Sequence, residues 1–141
     1  MIMYMRIRHF LAALVGAMAT LTSCEAQDSI PTLAPAQFEQ RMKADTTAVL
    51  IDVRTATEYS EGHLPGARNI DFLEPQSFED SIAALDSTHT YFVYCRSGNR
   101  SHKAAMRMVR RGLRVVDMAG GFRAWTAAGK ETVATQPAPR P

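Results

Sequence analysis

The sequence is poor in the residues that mark several common classes of protein. Its 141 residues include only two cysteines and four histidines. No four of these residues stand at the spacing of a zinc finger, so we expect no structural zinc. Charge is nearly balanced, with 16 basic residues against 14 acidic ones, and no basic stripe with interleaved aromatic residues occurs. We therefore expect neither a metal nor a nucleic-acid partner.

The sequence also lacks a hydrophobic run long enough for a permanent membrane helix. Residues 10–21 are apolar, but about a dozen residues are too few to span a bilayer comfortably. Arg6, Arg8 and His9 precede this run, and a basic segment followed by a short apolar one is typical of a signal that is removed on export. We therefore predict a signal peptide over residues 1–23. Its removal takes away two of the 16 basic residues, which leaves 14 basic and 14 acidic ones.

The end of this segment carries one of the two cysteines. Residues 21–24, with the sequence LTSC, resemble the lipobox of bacterial lipoproteins. The resemblance implies that Cys24 is diacylated and anchors the chain to a membrane leaflet without spanning it. Glu25 rather than Asp follows, which favours the outer membrane, facing the periplasm. An ordinary cleaved signal, a retained anchor and a disulfide between Cys24 and Cys95 remain alternatives.

From residue 35 onward, short apolar runs alternate with segments of helical periodicity. The apolar runs predict strands at residues 48–53, 67–72, 91–94 and 113–118. The segments with helical spacing predict helices at residues 35–42, 76–85 and 101–111, a short one from Thr57 and a last one from Phe122. Such alternation is typical of an α/β domain whose parallel sheet is covered by helices on both faces. We place this domain at residues 35–130, between a polar tether at 24–34 and a proline-containing, disordered tail at 131–141.

One short loop joins a predicted buried strand to a predicted helix, and it carries the other cysteine. Cys95 follows the aromatic and β-branched residues 91–94 directly. Gly98 would ease a tight curl of the loop, so that backbone N–H groups of the loop and of the helix N-terminus point inward. This arrangement predicts an anion site that stabilises Cys95 as a thiolate nucleophile.

Four segments of the chain resemble motifs of the rhodanese family of sulfurtransferases. Residues 95–101 (CRSGNRS) resemble its active-site loop, and residues 49–54 (VLIDVR), 62–70 (GHLPGARNI) and 115–125 (VVDMAGGFRAW) resemble three further motifs in the expected order. The resemblance implies a rhodanese-like, open parallel sheet of five strands with helices on both faces. It also implies transfer of a sulfane sulfur from thiosulfate or a persulfide, through a persulfide on Cys95, to a thiol or cyanide. No metal or organic cofactor is needed.

This resemblance assigns roles to particular residues. Cys95 is the nucleophile. The donor is held by the loop residues Arg96, Ser97, Gly98, Asn99, Arg100 and Ser101. Arg100 is expected to brace the loop as well as to attract an anionic donor. Asp52 and Arg54 are expected to be chiefly structural, as in that family, although Asp52 could instead contact an active-site Arg. His63 lies in the turn at residues 62–66, and its position there predicts that it holds the turn through a hydrogen bond rather than acting as a general base.

Three other functions remain open at this point. Cysteine phosphatases place five residues between their Cys and Arg, whereas four separate Cys95 from Arg100. A non-enzymatic rhodanese-like module for binding or regulation often lacks the cysteine that this chain retains. A redox role would need a second thiol from a partner protein, because the predicted domain holds only one cysteine. An oxidising compartment would also require that Cys95 be shielded by its pocket or be regenerated by a partner protein, which could also be the thiol acceptor.

Overall fold

A computed structural model describes residues 29–135 of the chain. The predicted signal peptide, Cys24 and the last six residues of the predicted tail lie outside this range. The elements are β1 (Thr32–Leu33), α1 (Pro35–Ala44), β2 (Ala48–Asp52), α2 (Ala56–Glu61), β3 (Arg68–Asn69), α3 (Pro75–Ala83), β4 (Thr90–Tyr94), α4 (Asn99–Arg110), β5 (Arg114–Met118) and α5 (Gly121–Ala127). Within residues 29–135, no helix has the length and apolar character needed to cross a membrane.

The five strands form one sheet in the order β1-β5-β4-β2-β3, and every pair is parallel. Strand β4 lies at the centre, with Phe92 opposite Leu50 of β2 and Val116 of β5. Because side chains alternate along a strand, neighbouring positions such as Phe92 and Val93 face opposite sides of the sheet. The order places the end of β4 in the middle of the carboxyl edge, where ligand sites of open α/β sheets are found.

Each face of the sheet has its own hydrophobic core. On one face, Phe78 and Ile82 of α3 and Met108 of α4 pack against Ile51 and Val93. On the other face, side chains from α1 and α5 cover the sheet: Phe38 and Trp125 pack with Leu50, Phe92 and Val116. The predicted α/β fold, a rhodanese-like parallel sheet of five strands with helices on both faces, is confirmed.

The predicted tether is wrong for two of its residues. Thr32 and Leu33 form β1, which pairs with Asp117 and Met118 at the edge of the sheet. The main chain on either side strengthens the pairing, because Asp117 N donates to Pro31 O and Ala119 N donates to Leu33 O, both at 2.8 Å. A strand of two residues shows no periodicity, so composition suggested a linker instead.

The predicted disordered tail also needs correction over residues 131–135. His63 and Val133 exchange two backbone hydrogen bonds, with His63 N donating to Val133 O at 2.8 Å and Val133 N to His63 O at 2.9 Å. Trp125 Nε1 donates to Glu131 O at 2.7 Å. These residues are therefore bound to the domain by main-chain contacts, which polar composition does not reveal.

Element boundaries differ most at β3. The sequence predicts a strand over residues 67–72, whereas only Arg68 and Asn69 are in the ladder. Ile70 N and Phe72 N still donate to Asp52 O and Val53 O, so the segment follows β2 without regular strand geometry. The prediction therefore has the correct position, but the observed strand is shorter than the predicted one.

Candidate active site

The loop after β4 curls around the sulfur of Cys95. Gly98 adopts φ +103°, a left-handed conformation that glycine tolerates, and α4 begins at Asn99, two residues earlier than predicted. This turn lets Gly98 N donate to Cys95 Sγ at 3.0 Å. Cys95 is a free cysteine in the described part of the chain, and it is only 1% exposed. Its sulfur is therefore held inside the loop, at the N-terminal end of α4.

The other predicted loop residues surround this sulfur in two different ways. Arg96, Ser97 and Asn99 are exposed, whereas Ser101 is buried. Ser101 Oγ donates to Gly98 O at 3.3 Å and so ties the first turn of α4 to the curl of the loop. The structure thus brings all the predicted loop residues to one edge of the sheet.

Arg100 points to a neighbouring helix and forms a two-bond ion pair there. Its Nη1 and Nη2 atoms each donate to one carboxylate oxygen of Glu58, both at 2.8 Å. Glu58 also closes the capping box of α2 with Thr55. The hydrogen bonds from Arg100, followed by those from Thr55, lower the pKa of Glu58 to about 2, and Glu58 in turn raises the pKa of Arg100. The guanidinium of Arg100 therefore braces the loop against α2.

Asp52 and Arg54 form a buried ion pair beside the loop. Arg54 Nη2 and Nε donate to the carboxylate of Asp52 at 2.7 and 3.0 Å, and Nη2 also donates to Gly62 O at 2.6 Å. Burial alone lowers the pKa of Arg54, but the hydrogen bonds and charge of Asp52 outweigh it and raise the pKa. The guanidinium also lies 4.2 Å from the ring centre of Phe122. These contacts link β2, α2 and α5.

His63 is engaged at its ring and its main chain. Its Nδ1 atom lies 2.8 Å from Tyr59 O, and its ring stacks on the ring of Tyr59 at 3.8 Å. The main chain pairs with Val133, as described above. These contacts join α2 to the segment after α5, and they leave His63 in a supporting position.

Sequence reasoning missed the part played by a glycine pair under the loop. Gly120 and Gly121 lie in the motif at residues 115–125, and a Cβ on Gly121 would lie 2.5 Å from Cys95 O and 2.7 Å from Arg96 O. The close approach lets Phe122 N donate to Cys95 O at 2.7 Å and Arg123 N donate to Arg96 O at 3.1 Å. The two consecutive glycines were the signal, but the partner that approaches them is remote in sequence.

Sequence reasoning also missed a buried carboxyl near the start of α4. Asp117 of β5 is 1% exposed, and its Oδ1 atom has no hydrogen-bond partner among residues 29–135. Its Oδ2 atom lies 3.8 Å from Nδ1 of His102. Burial raises the pKa of Asp117, against the opposing effects of Ser101 and His102. The signal in the sequence was a single acid within residues 113–118, which are otherwise apolar except for Arg114.

A cavity of about 530 Å³ opens beside the loop. Its lining comes from α2, the loop, α5 and the segment after α5: Arg54, Glu58, Glu61, Gly62, Arg96, Phe122, Arg123, Thr126 and Thr132. No group of three or more His, Cys, Asp or Glu that could hold a metal occurs in the described part of the chain. The arrangement offers a buried cysteine sulfur that accepts a backbone hydrogen bond, with a polar cavity beside the loop that holds it.

Comparison with known proteins agrees with this geometry. The sequence model of the rhodanese-like domain family matches residues 34–128 of the chain. The thiosulfate sulfurtransferase GlpE of Stutzerimonas stutzeri is 37% identical over 79 residues, which cover 55% of this chain and 70% of that protein. The putative sulfur carrier protein YrkF of Bacillus subtilis is 32% identical over 105 residues, or 74% of this chain, and the match spans only 55% of that protein.

A solved structure shows the same fold. A rhodanese-related protein from Thermoplasma volcanium superposes with a TM-score of 0.65 at 26% sequence identity. The superposition covers 75% of this chain and 99% of that one. The five-stranded sheet and its helices are therefore shared with a known structure over the whole length of that protein.

Proposed function

The chain belongs to the rhodanese-like family, and we propose that it is a sulfurtransferase that carries a sulfane sulfur on Cys95. The observation that carries this proposal is the hydrogen bond of 3.0 Å from Gly98 N to Cys95 Sγ. A backbone donor at a helix N-terminus stabilises a negative charge on sulfur. The relatives named thiosulfate sulfurtransferase and sulfur carrier protein support the same chemistry.

The proposed reaction has two steps that balance without a cofactor. The thiolate of Cys95 attacks the outer sulfur of thiosulfate, the S–S bond of the donor breaks, and sulfite leaves with the bonding electron pair. A thiolate or cyanide then attacks the terminal sulfur of the Cys95 persulfide, and Cys95 leaves as a thiolate again. Transfer through a covalent enzyme intermediate predicts ping-pong kinetics. Each step is a displacement at sulfur, like thiol–disulfide exchange.

The charged residues of the loop have different parts in this proposal. Arg100 is bound to Glu58, so it holds the loop in place, and its positive charge is largely neutralised by that carboxylate. Arg96 is exposed, and it is therefore better placed to meet an incoming anion such as thiosulfate. The backbone N–H groups of the loop stabilise the negative charge of the thiolate and of the persulfide.

Loading with sulfur tests the proposal directly. The purified protein is incubated with thiosulfate, and its intact mass is measured beside a Cys95→Ser variant. We expect the wild type alone to gain the mass of one sulfur atom, and we expect cyanide to remove it as thiocyanate. If neither thiosulfate nor a small persulfide loads the wild type, the proposal fails, and a non-enzymatic binding module becomes the better reading.

We also propose that the protein works in the cell envelope, attached by a lipid on Cys24 to the outer membrane and facing the periplasm. The sequence of residues 21–24 supports this proposal. The 1% exposure of Cys95 meets one of its requirements, because a thiol in an oxidising compartment must be shielded. Fatty-acid labelling and membrane fractionation test it. We expect Cys24→Ser to abolish the label and to release the protein from the membrane fraction; an unchanged distribution contradicts the proposal.

A further inference from the structure

Two arginines in the cavity beside the loop have no side-chain partner. Arg96 and Arg123 line the cavity of about 530 Å³, and both are exposed. Across residues 29–135, neither side chain forms a hydrogen bond or an ion pair, although Arg123 N donates to Arg96 O at 3.1 Å. This backbone contact places Arg96 and Arg123 side by side in the lining of the cavity, and neither guanidinium group is neutralised. Arg96 directly follows Cys95 in the sequence.

The other charges of the cavity leave this positive charge uncompensated. Arg54 is paired with Asp52, and Glu58 is paired with Arg100. Glu61 is the remaining acid in the lining, and it is exposed. The cavity thus presents two available cations and one available anion, together with the aromatic ring of Phe122.

We propose that this cavity binds the carboxylate end of a small organic thiol, which accepts the sulfur from Cys95; the proposal rests on the sulfurtransferase function proposed above. Arg96 and Arg123 would bind the carboxylate, and Glu61 would favour an acceptor that also carries an amino group. Amino-acid thiols and short peptide thiols have this chemistry. Cavities of 300–1,000 Å³ are typical for organic ligands, so the space exceeds what a single inorganic anion needs.

The chemistry of the second step gives these cations a purpose. The acceptor thiolate RS⁻ attacks the terminal sulfur of the Cys95 persulfide, R–S–S⁻ forms, and Cys95 leaves as a thiolate. Two anions must therefore approach each other, and an acceptor with a carboxylate carries further negative charge. Two arginines beside the loop offset this repulsion and raise the local concentration of the acceptor.

The test compares thiols that share an HS–CH2–CH2 unit and differ in the group, and so in the charge, at the end that does not react. Protein loaded with thiosulfate is mixed with 3-mercaptopropionate, 2-mercaptoethanol or cysteamine, and the loss of persulfide is followed in a single turnover. Wild type is compared with Arg123→Gln, with Arg123→Lys, and with the matched control Arg110→Gln on α4, which changes an exposed arginine outside this cavity. Dividing the wild-type rate by the variant rate for each thiol cancels the intrinsic reactivity of that thiol.

We expect Arg123→Gln to lower the preference for 3-mercaptopropionate over 2-mercaptoethanol by about three- to tenfold, the range of one partly exposed charge-assisted contact. Arg123→Lys should restore part of the preference, and added salt should weaken it. Arg110→Gln should leave the preference as in the wild type. An equal loss with all three thiols, or no change in preference, overturns the inference.

A binding measurement separates this inference from the proposed function. The thioether 3-(methylthio)propionate keeps the carboxylate but cannot accept sulfur, and calorimetry measures its binding without any persulfide. We expect weaker binding to Arg123→Gln than to wild type or Arg110→Gln. If the wild type fails to load sulfur, the proposed function is refuted while this binding still tests the carboxylate site. Equal binding to all three proteins overturns the inference even if sulfur transfer is demonstrated.

Discussion

Both walls of the cavity beside the Cys95 loop contain arginine, but one wall is held in place by side-chain ion pairs and the other by main-chain hydrogen bonds. The paired wall, formed by Arg54, Glu58 and Gly62, is held by charged side chains: Arg54 binds Asp52 and Gly62 O, and Glu58 binds Arg100. The unpaired wall, formed by Arg96, Phe122 and Arg123, is held by main-chain hydrogen bonds to the loop.

This difference separates arginines that stabilise the structure from arginines that can bind a ligand. In the paired wall, Asp52 neutralises the guanidinium group of Arg54, and Arg100 neutralises the carboxylate of Glu58. In the unpaired wall the backbone supplies the cohesion, and the side chains of Arg96 and Arg123 remain available. The position of an arginine near a nucleophile is therefore a poor guide to its role until its partners are known.

Breaking the buried pair of the paired wall should have the largest effect. Arg54→Met leaves the carboxylate of Asp52, which is 0% exposed, without its cation, and we expect a loss of about 3–5 kcal/mol in the free energy of unfolding. Urea denaturation at neutral pH measures this loss. The exposed Arg110→Met is the matched control. The double variant Asp52→Asn with Arg54→Met should recover part of the loss, and a single-variant loss below about 1 kcal/mol would contradict the assigned role.

A substitution that forces the unpaired wall away from the loop should cause the second-largest loss in the free energy of unfolding. Gly121→Ala places a Cβ 2.5 Å from Cys95 O at φ +58°, and we expect a loss of about 2–4 kcal/mol from overpacking and backbone strain together. The proposed sulfur transfer should become slower as well, because the loop must shift. Gly129→Ala is the control, since Gly129 has φ +70° but nothing within 4 Å of the added Cβ. A loss equal to that of the control would show that the close approach is unimportant.

Removing the charge of Glu58 should have a smaller effect that depends on pH. The pKa of Glu58 falls from 4.5 to about 2 on folding, so its contribution is complete above about pH 4.5 and disappears as the pH falls towards 2. We expect Glu58→Gln to lower stability by about 1–2 kcal/mol at neutral pH, after allowance for solvent screening, with the difference closing in acid. Urea denaturation across this pH range measures it.

The control for Glu58 is Glu79→Gln. Glu79 also forms ion pairs with arginine, in its case with Arg107 and Arg111, but these pairs lie at the surface, so the loss should be smaller. A pH-independent difference between wild type and Glu58→Gln would mean that the ion pair with Arg100 does not carry the effect.

Changing the unpaired wall itself should alter stability least. Arg123→Gln removes an exposed side chain without a partner in the described residues, and we expect the free energy of unfolding to change by no more than about 0.5 kcal/mol. Urea denaturation beside Arg110→Gln checks this. The same variant should change the preference among acceptor thiols, as described above. A large loss of stability would place Arg123 among the structural arginines and would remove the distinction between the two walls.

Local patterns in the sequence were enough for the general architecture. The apolar residues 91–94, the cysteine after them and the following helical segment placed Cys95 at the end of a buried strand. The two ends of the domain were harder to predict. Thr32 and Leu33 pair with β5, and Val133 pairs with His63. Such short pairings depend on the partner that lies alongside and not on the composition of the segment.

The sequence by itself determined the α/β class, the parallel sheet, and a cysteine in a tight loop before a helix, because burial and glycine content leave local signatures. Only the tertiary structure decided which charges are satisfied. Arg100 meets Glu58 across 42 positions of the chain, and Gly121 meets the backbone of Cys95 across 26. Whether the charge of an arginine is neutralised depends on such remote neighbours. Only the folded chain therefore distinguishes the arginines that form ion pairs within the protein from those whose side chains remain available to a ligand.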